Sequence, residues 1–170
     1  GGAVKTRRKG CGDFELTVHG VAAHAGIDPG KGANAIHELA HQIVSIQKLQ
    51  DLERGVSVNV NIVAGGARTN VIADAARASI DVRVPSKEEA ARIESELSSL
   101  APQIAGTQIS VSGGFGRPPL ERTPQVAALY EIARRLSTEL GQPLGEGGTG
   151  GGSDGNFTAA LGVPTLDGLG

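Results

Sequence analysis

Val56-Ser57-Val58-Asn59-Val60-Asn61-Ile62-Val63 alternates apolar and polar residues, the signature of a strand with one buried face. The run stops at Gly65-Gly66. A second strand-like run, Ala75 to Val84, follows and is halted by Pro85. Two successive strands with no helix between them form the centre of the pattern. Working outward, each is flanked by helical periodicity. Across residues 33–50, Ile36, Leu39, Ala40, Ile43 and Ile46 share one face of a helical wheel. Glu38, His41, Ser45 and Lys48 share the opposite face. Downstream, Ser86 with Glu89 three residues later is a capping box. It opens a helix with Ala90, Ile93, Leu97 and Leu100 on one stripe. Residues 14–18 (Phe-Glu-Leu-Thr-Val) and Thr107 to Val111 read as the outermost strands, the latter closed by Gly113-Gly114.

The order β-α-β-β-α-β predicts an α+β fold of the ferredoxin-like, split βαβ kind. This is a four-stranded antiparallel sheet with two helices on one face, spanning residues 13–114. Its other face has no cover within the chain and is expected to be solvated or to meet a partner. After Pro118-Pro119 the character changes. Residues 124–140 form an amphipathic helix along Val126, Leu129, Ile132, Ala133, Leu136 and Leu140. A Gly-dense loop (Gly145 to Gly155), a short helix signal (Asn156 to Leu161) and the apolar Val163-Pro164-Thr165-Leu166 complete the chain. This tail has no sheet of its own to pack on and reads as a piece of a second domain. Residues 113–119 read as the linker returning to it.

Composition narrows the function. The chain has 170 residues and a formal net charge of -2, with no basic stripe interleaved with aromatics, so nucleic acid is not an expected partner. No apolar run is long enough to span a bilayer, and no membrane partner is expected. Cys11 is the single cysteine, which excludes an internal disulfide. Methionine is absent and the chain opens Gly-Gly, which fits a processed start or a span of a longer protein. A cytoplasmic location is expected.

Four features carry possible chemistry. His37-Glu38-Leu39-Ala40-His41 matches the H-E-x-x-H pattern of zinc peptidases. The wheel places His41 on the wet face with His37 at its border, and the third ligand that a catalytic zinc needs is not evident. A solvated helix face is therefore the preferred reading. His19 reads as an edge or surface histidine. His24 sits in Gly20-Val21-Ala22-Ala23-His24-Ala25-Gly26, where small neighbours leave the ring accessible; it is a candidate catalytic residue or an ordinary loop histidine. Arg83, two residues after Asp81, either forms a structural pair or grips a carboxylate in bidentate fashion. Asn70 in Thr69-Asn70-Val71-Ile72 fits turn chemistry equally well. Gly148-Thr149-Gly150-Gly151-Gly152-Ser153-Asp154 can cradle an anion or act as a flexible linker, and does not match a P-loop.

Taken in order, these motifs resemble the dizinc metallopeptidase and deacylase superfamily of glutamate carboxypeptidase, acetylornithine deacetylase and succinyl-diaminopimelate desuccinylase. Gly20-x-x-Ala23-His24-Ala25-Gly26-x-x-Pro29-x-x-Gly32-x-Asn34-Ala35-Ile36 resembles the start of that family's lid, or dimerisation, domain. Gly65-Gly66-x-x-x-Asn70-Val71-Ile72 and Asp81-Val82-Arg83 are similar to its second signature. Gly150-Gly151-Gly152-Ser153-Asp154 with Gly162-Val163-Pro164-Thr165 is similar to the return into its catalytic domain. The chain departs from the pattern at Ala73, where the family has proline.

The resemblance implies a division into residues 1–12 (linker from the catalytic domain), 13–114 (lid) and 115–170 (a C-terminal helical fragment of an α/β catalytic domain). It implies a hydrolase acting on a small amide substrate that bears a carboxylate, with two zinc ions in the full-length protein. The zinc ligands and the base Glu would lie outside this chain, so none of its residues is assigned to metal and the chain alone is expected to be inactive. His24 would be catalytic, stabilising the oxyanion in a neighbouring subunit's site. Arg83 would hold the substrate carboxylate, Asn70 would orient it, Arg117 would lie near it, and Gly151, Gly152 and Ser153 would line the pocket. A homodimer through the lid sheet edge and helix is implied. The alternative is a non-enzymatic ferredoxin-like module for dimerisation or small-anion binding, with His24 and Arg83 structural.

Overall fold

The sheet called for by the sequence pattern is present in the computed structural model, which describes residues 3–169. The elements are β1 (Ala3–Arg8), β2 (Gly10–His19), a 3₁₀ turn (Pro29–Lys31), α1 (Ala35–Gln47), β3 (Ser57–Gly65), β4 (Ala75–Val84), α2 (Lys87–Ser98), β5 (Gln108–Arg117), α3 (Pro124–Glu139), β6 (Gly145–Thr149) and α4 (Gly155–Ala160). Strands β2 to β5 make one antiparallel sheet in the order β3-β4-β2-β5. The first strand of the repeat lies beside the last, as a split βαβ unit requires.

The chain forms two compact units. One holds Gly12–Val82 and Ala91–Gly114; the other holds the described residues up to Cys11, Arg83–Ala90 and those from Phe115 onward. In the first, period-two alternation buries Phe14, Leu16 and Val18 of β2 and Ala76, Ala78, Ile80 and Val82 of β4. Leu39 and Ile46 of α1 and Ile93 and Leu97 of α2 complete this core. Intervening positions such as Asp13, Glu15, Arg77 and Asp81 lie on the open side of the strands, exposed or half-buried. Helix α1 starts where the Asn34 side chain accepts the amides of Ile36 (2.9 Å) and His37 (3.3 Å).

Three expectations need correction. First, α1 buries only part of the stripe read from the wheel: Leu39 and Ile46 are in the core and Ile43 is half-buried. Ile36 and Ala40 are exposed, while Glu38 and Gln42, assigned to no core, are fully buried. The Glu38 carboxylate accepts from the amides of Gln103 (2.9 Å) and Ile104 (2.7 Å), the Thr107 hydroxyl (3.1 Å) and Gln42 Nε2 (2.7 Å). Burial pushes this carboxyl up, yet those donors hold it below the usual range. The buried face is turned toward them. Second, β5 does not stop at Gly113-Gly114 but runs to Arg117, so 113–117 are strand rather than linker. Gly113 has φ +106°, and a Cβ there would lie 2.2 Å from the Asp13 carbonyl oxygen. The glycine allows the strand to pass β2 closely instead of ending it.

Third, the tail has a sheet after all. β1 runs parallel to β6, pairing Ala3 with Gly145 and Arg8 with Thr149, with an irregularity between Lys5 and Arg7. Part of the Gly-dense loop is therefore strand, because its backbone has a partner that side-chain periodicity cannot reveal. Arg8 and Leu120 exchange backbone hydrogen bonds of 2.9 and 3.0 Å. Helix α3 begins at Thr123, whose hydroxyl accepts the Val126 amide (3.2 Å), and has proline in its first turn. Only Val126 and Tyr130 of α3 are buried; Ile132 and Leu136, expected on the buried stripe, are exposed, as is Leu140 just beyond the helix. No helix among the described residues is long and apolar enough to cross a membrane.

Candidate functional site

His24 lies on the loop between β2 and α1, and its side chain is exposed. The loop is pinned by a short backbone ladder to the segment after β3. The Ala25 amide donates to the Asn70 carbonyl (2.9 Å), the Ile72 amide donates to the Ala23 carbonyl (2.9 Å), and His24 bridges to Val71. Two of the sequence candidates, His24 and Asn70, are thus brought together by main-chain bonds. The His24 ring also caps its own turn. Its Nδ1 accepts from the amides of Gly26 and Ile27, each at 3.2 Å. Small residues at 22, 23, 25 and 26 leave the remaining ring edge uncovered.

Arg83 falls near the end of β4, on the half-buried alternate positions that also carry Ser79 and Asp81. It therefore projects from the side of the strand opposite the core-facing Val82 and Val84. His37 and His41 are exposed on α1, and the carboxylate of Glu38 is consumed by backbone amides. The H-E-x-x-H stretch accordingly offers no free base.

The other candidates belong to the second unit. Arg117 reaches Asp154 (Nη1 to Oδ1, 3.3 Å) and lies over the Phe157 ring at 5.1 Å from its centroid. A Cβ at Gly152 would lie 3.0 Å from both Arg117 Cδ and Cys11 Sγ, so a side chain there would push against both. The Ser153 hydroxyl donates to Asp167 and accepts the Gly155 amide (3.2 Å). Asp167 also pairs with Arg8 Nε at 2.5 Å, and Arg8 Nη1 donates to the Gly151 carbonyl (2.9 Å). Burial raises the Asp167 carboxyl, but Ser153 and Arg8 outweigh it and hold the group below its ordinary range. Buried Asn156 fastens the loop, donating to the carbonyls of Pro118 (2.7 Å) and Lys9 (3.2 Å) and accepting the Ser153 amide (2.9 Å). The Gly-rich segment is thus anchored at Gly151 and Ser153, while Gly150 and Asp154 are exposed.

Sequence reasoning missed Phe157, Asn156 and Asp167, which position Arg117 and this loop. Asp154 stood in a quoted motif; the others carried no local signal. Among the described residues, no group of three or more His, Cys, Asp and Glu is placed to hold a metal ion.

Comparisons with known proteins agree with this architecture. The chain is 28% identical over 155 residues to the uncharacterised protein YqjE of Bacillus subtilis (strain 168), covering 88% of this chain and 41% of that protein. It is 28% identical over 159 residues to carboxypeptidase G2 of Pseudomonas sp. (strain RS-16), covering 92% and 38%. The chain thus spans about two-fifths of the length of these relatives. Among solved structures, aminopeptidase PepT of Bacillus cereus superposes with a TM-score of 0.81 at 24% identity, over 98% of this chain and 45% of that one. A hydantoinase/carbamoylase family amidase of Burkholderia multivorans gives 0.67 at 18% identity, over 98% and 41%. The pattern of the peptidase dimerisation domain matches residues 6–108, more than half of the chain, and the protein belongs to the M20 peptidase dimerisation-domain family.

Proposed function

We propose that this chain is the lid and part of the catalytic domain of a hydrolase that cleaves an amide bond next to a free carboxylate, in the manner of a glutamate carboxypeptidase. The division at residues 1–12, 13–114 and 115–170 belongs to the same reading. So does a cytoplasmic homodimer whose subunits meet through the β3 edge and α1. The apolar residues exposed there, Ile36 and Val44 on α1 and Ile62 and Val63 on β3, support that contact surface.

The observation that carries the reading is His24. Its imidazole is exposed on a loop fixed by four hydrogen bonds, two to its ring and two flanking it in the backbone. An imidazole N–H held in this way can donate to the oxygen that becomes negative when an amide carbonyl is attacked. Arg83 would take the substrate carboxylate, Asn70 would help orient it, and Arg117 with Gly151, Gly152 and Ser153 would line the approach. The family reading assigns two zinc ions to the full-length protein. The described residues do not form a cluster fitted to a metal, so no step is assigned to zinc here.

The test is His24→Ala in the full-length protein. Loss of one oxyanion donor lowers kcat by about 10²–10³-fold, with metal content unchanged. An unaltered kcat removes His24 from the chemistry. Sedimentation at micromolar concentration checks the dimer, which a clean monomer would exclude.

A further inference from the structure

A neutral imidazole carries one N–H, and the bonds made by one nitrogen decide which. Both groups facing His24 Nδ1 are backbone amides, which can only donate. Gly26 N and Ile27 N each lie 3.2 Å from it. Nδ1 must therefore present its lone pair, and the ring proton sits on Nε2, on the ring edge turned away from the two amides. The same turn is closed a second time through the main chain, since the His24 carbonyl accepts the amides of Ile27 (3.3 Å) and Asp28 (3.1 Å). On either side, Ala23 and Ala25 are tied to Ile72 and Asn70. A Cβ at Gly26 would make only ordinary contact with the ring, 3.8 Å from Cε1 and 3.9 Å from Nδ1, so what position 26 contributes is its amide.

We infer that the backbone amides of Gly26 and Ile27 are positioning groups that lock His24 in the Nε2–H tautomer, so that it meets its substrate as a hydrogen-bond donor and not as a proton acceptor. This deepens the proposed function and rests on it for the word substrate; the tautomer itself does not depend on it. A base would need a free lone pair at one ring nitrogen. Here Nδ1 has its lone pair occupied and Nε2 carries the proton. Only the donor role remains.

The experiment is long-range ¹H–¹⁵N spectroscopy of the full-length protein labelled with ¹⁵N-histidine. It is recorded at about pH 8.5, where imidazoles of ordinary pKa are neutral. The His24→Gln variant identifies the His24 signals by their disappearance. The expected spectrum shows a fixed ring, with Nδ1 of the acceptor type and Nε2 protonated. A protonated Nδ1, or two nitrogens averaged between forms, overturns the inference. Ile27→Pro deletes one donor while costing little packing, because the Ile27 side chain is exposed. It moves the two signals toward each other and lowers kcat more than it changes KM. Should that variant fail to fold, the wild-type spectrum still decides. A locked Nε2–H ring combined with unchanged kcat in His24→Ala sinks the catalytic reading and leaves the positioning intact. An averaged ring combined with a collapsed kcat does the reverse.

Discussion

In the unit built around α1, the Glu38 carboxylate is 0% exposed and meets four donors. In the unit built around α3, Ile132, Leu136 and Leu140 are 49%, 50% and 79% exposed. The first buries a charge because its surroundings complete every bond the charge needs. The second leaves apolar surface uncovered within this span, where among the described residues its sheet has two strands, both from short segments. A four-stranded sheet with two helices has enough interior to enclose a polar anchor. A two-stranded parallel sheet does not, and parallel pairs ordinarily lie inside larger sheets covered on both faces. Closure of a core, rather than number of elements, separates the two regions.

The contrast can be broken most directly at Glu38. Glu38→Ala strands the amides of Gln103 and Ile104 and is expected to destabilise the protein by on the order of 4 kcal/mol. Hydrogen exchange at Gln103 and Ile104 should accelerate; unchanged protection would mean that the loop is held by something else. The same carboxyl sets an acid limit. Its value in the fold is lowered from the ordinary 4.5. Its contribution is therefore complete above that value and is lost as pH falls through the lowered one. Urea midpoints measured across the acid range should fall less steeply in Glu38→Ala than in the parent.

A smaller effect belongs to the other unit. Thr123→Ala removes the cap from α3 and should cost about 1 kcal/mol, read from the urea midpoint. The smallest is expected at Leu136→Ser. If that face is solvated, the change stays within about 0.5 kcal/mol. A shift several times larger in the full-length protein would show that further polypeptide covers α3, and the contrast would then hold for this span alone.

Much of the first unit was legible in the sequence. The bounds of β4 follow from its alternation and Pro85, and Ser86 announces α2 through a side chain that accepts the Glu89 amide. Glu38 was not legible. A wheel sorts residues by polarity, and nothing local reports that a loop some 65 residues later brings amides to meet a carboxylate. The pairing of β1 with β6 was hidden for a related reason. Gly145, Gly147 and Gly148 have no side chains to alternate, so the strand exists only through its partner's backbone. At the candidate site, His24 and Asn70 stood out by motif, whereas their mutual tie runs through main-chain atoms that any sequence possesses.

Strand β3 is bonded on one side only and carries Ile62 and Val63, exposed at 64% and 56%. Any molecule whose β3 is not occupied offers neighbours a sticky ribbon. Concentrated stocks of this span should grow turbid on storage at a rate that rises steeply with concentration. Val63→Lys, placing a charge on that ribbon, should keep them clear. Freezer life would then be governed by the same few side chains proposed above to meet a second copy of the chain.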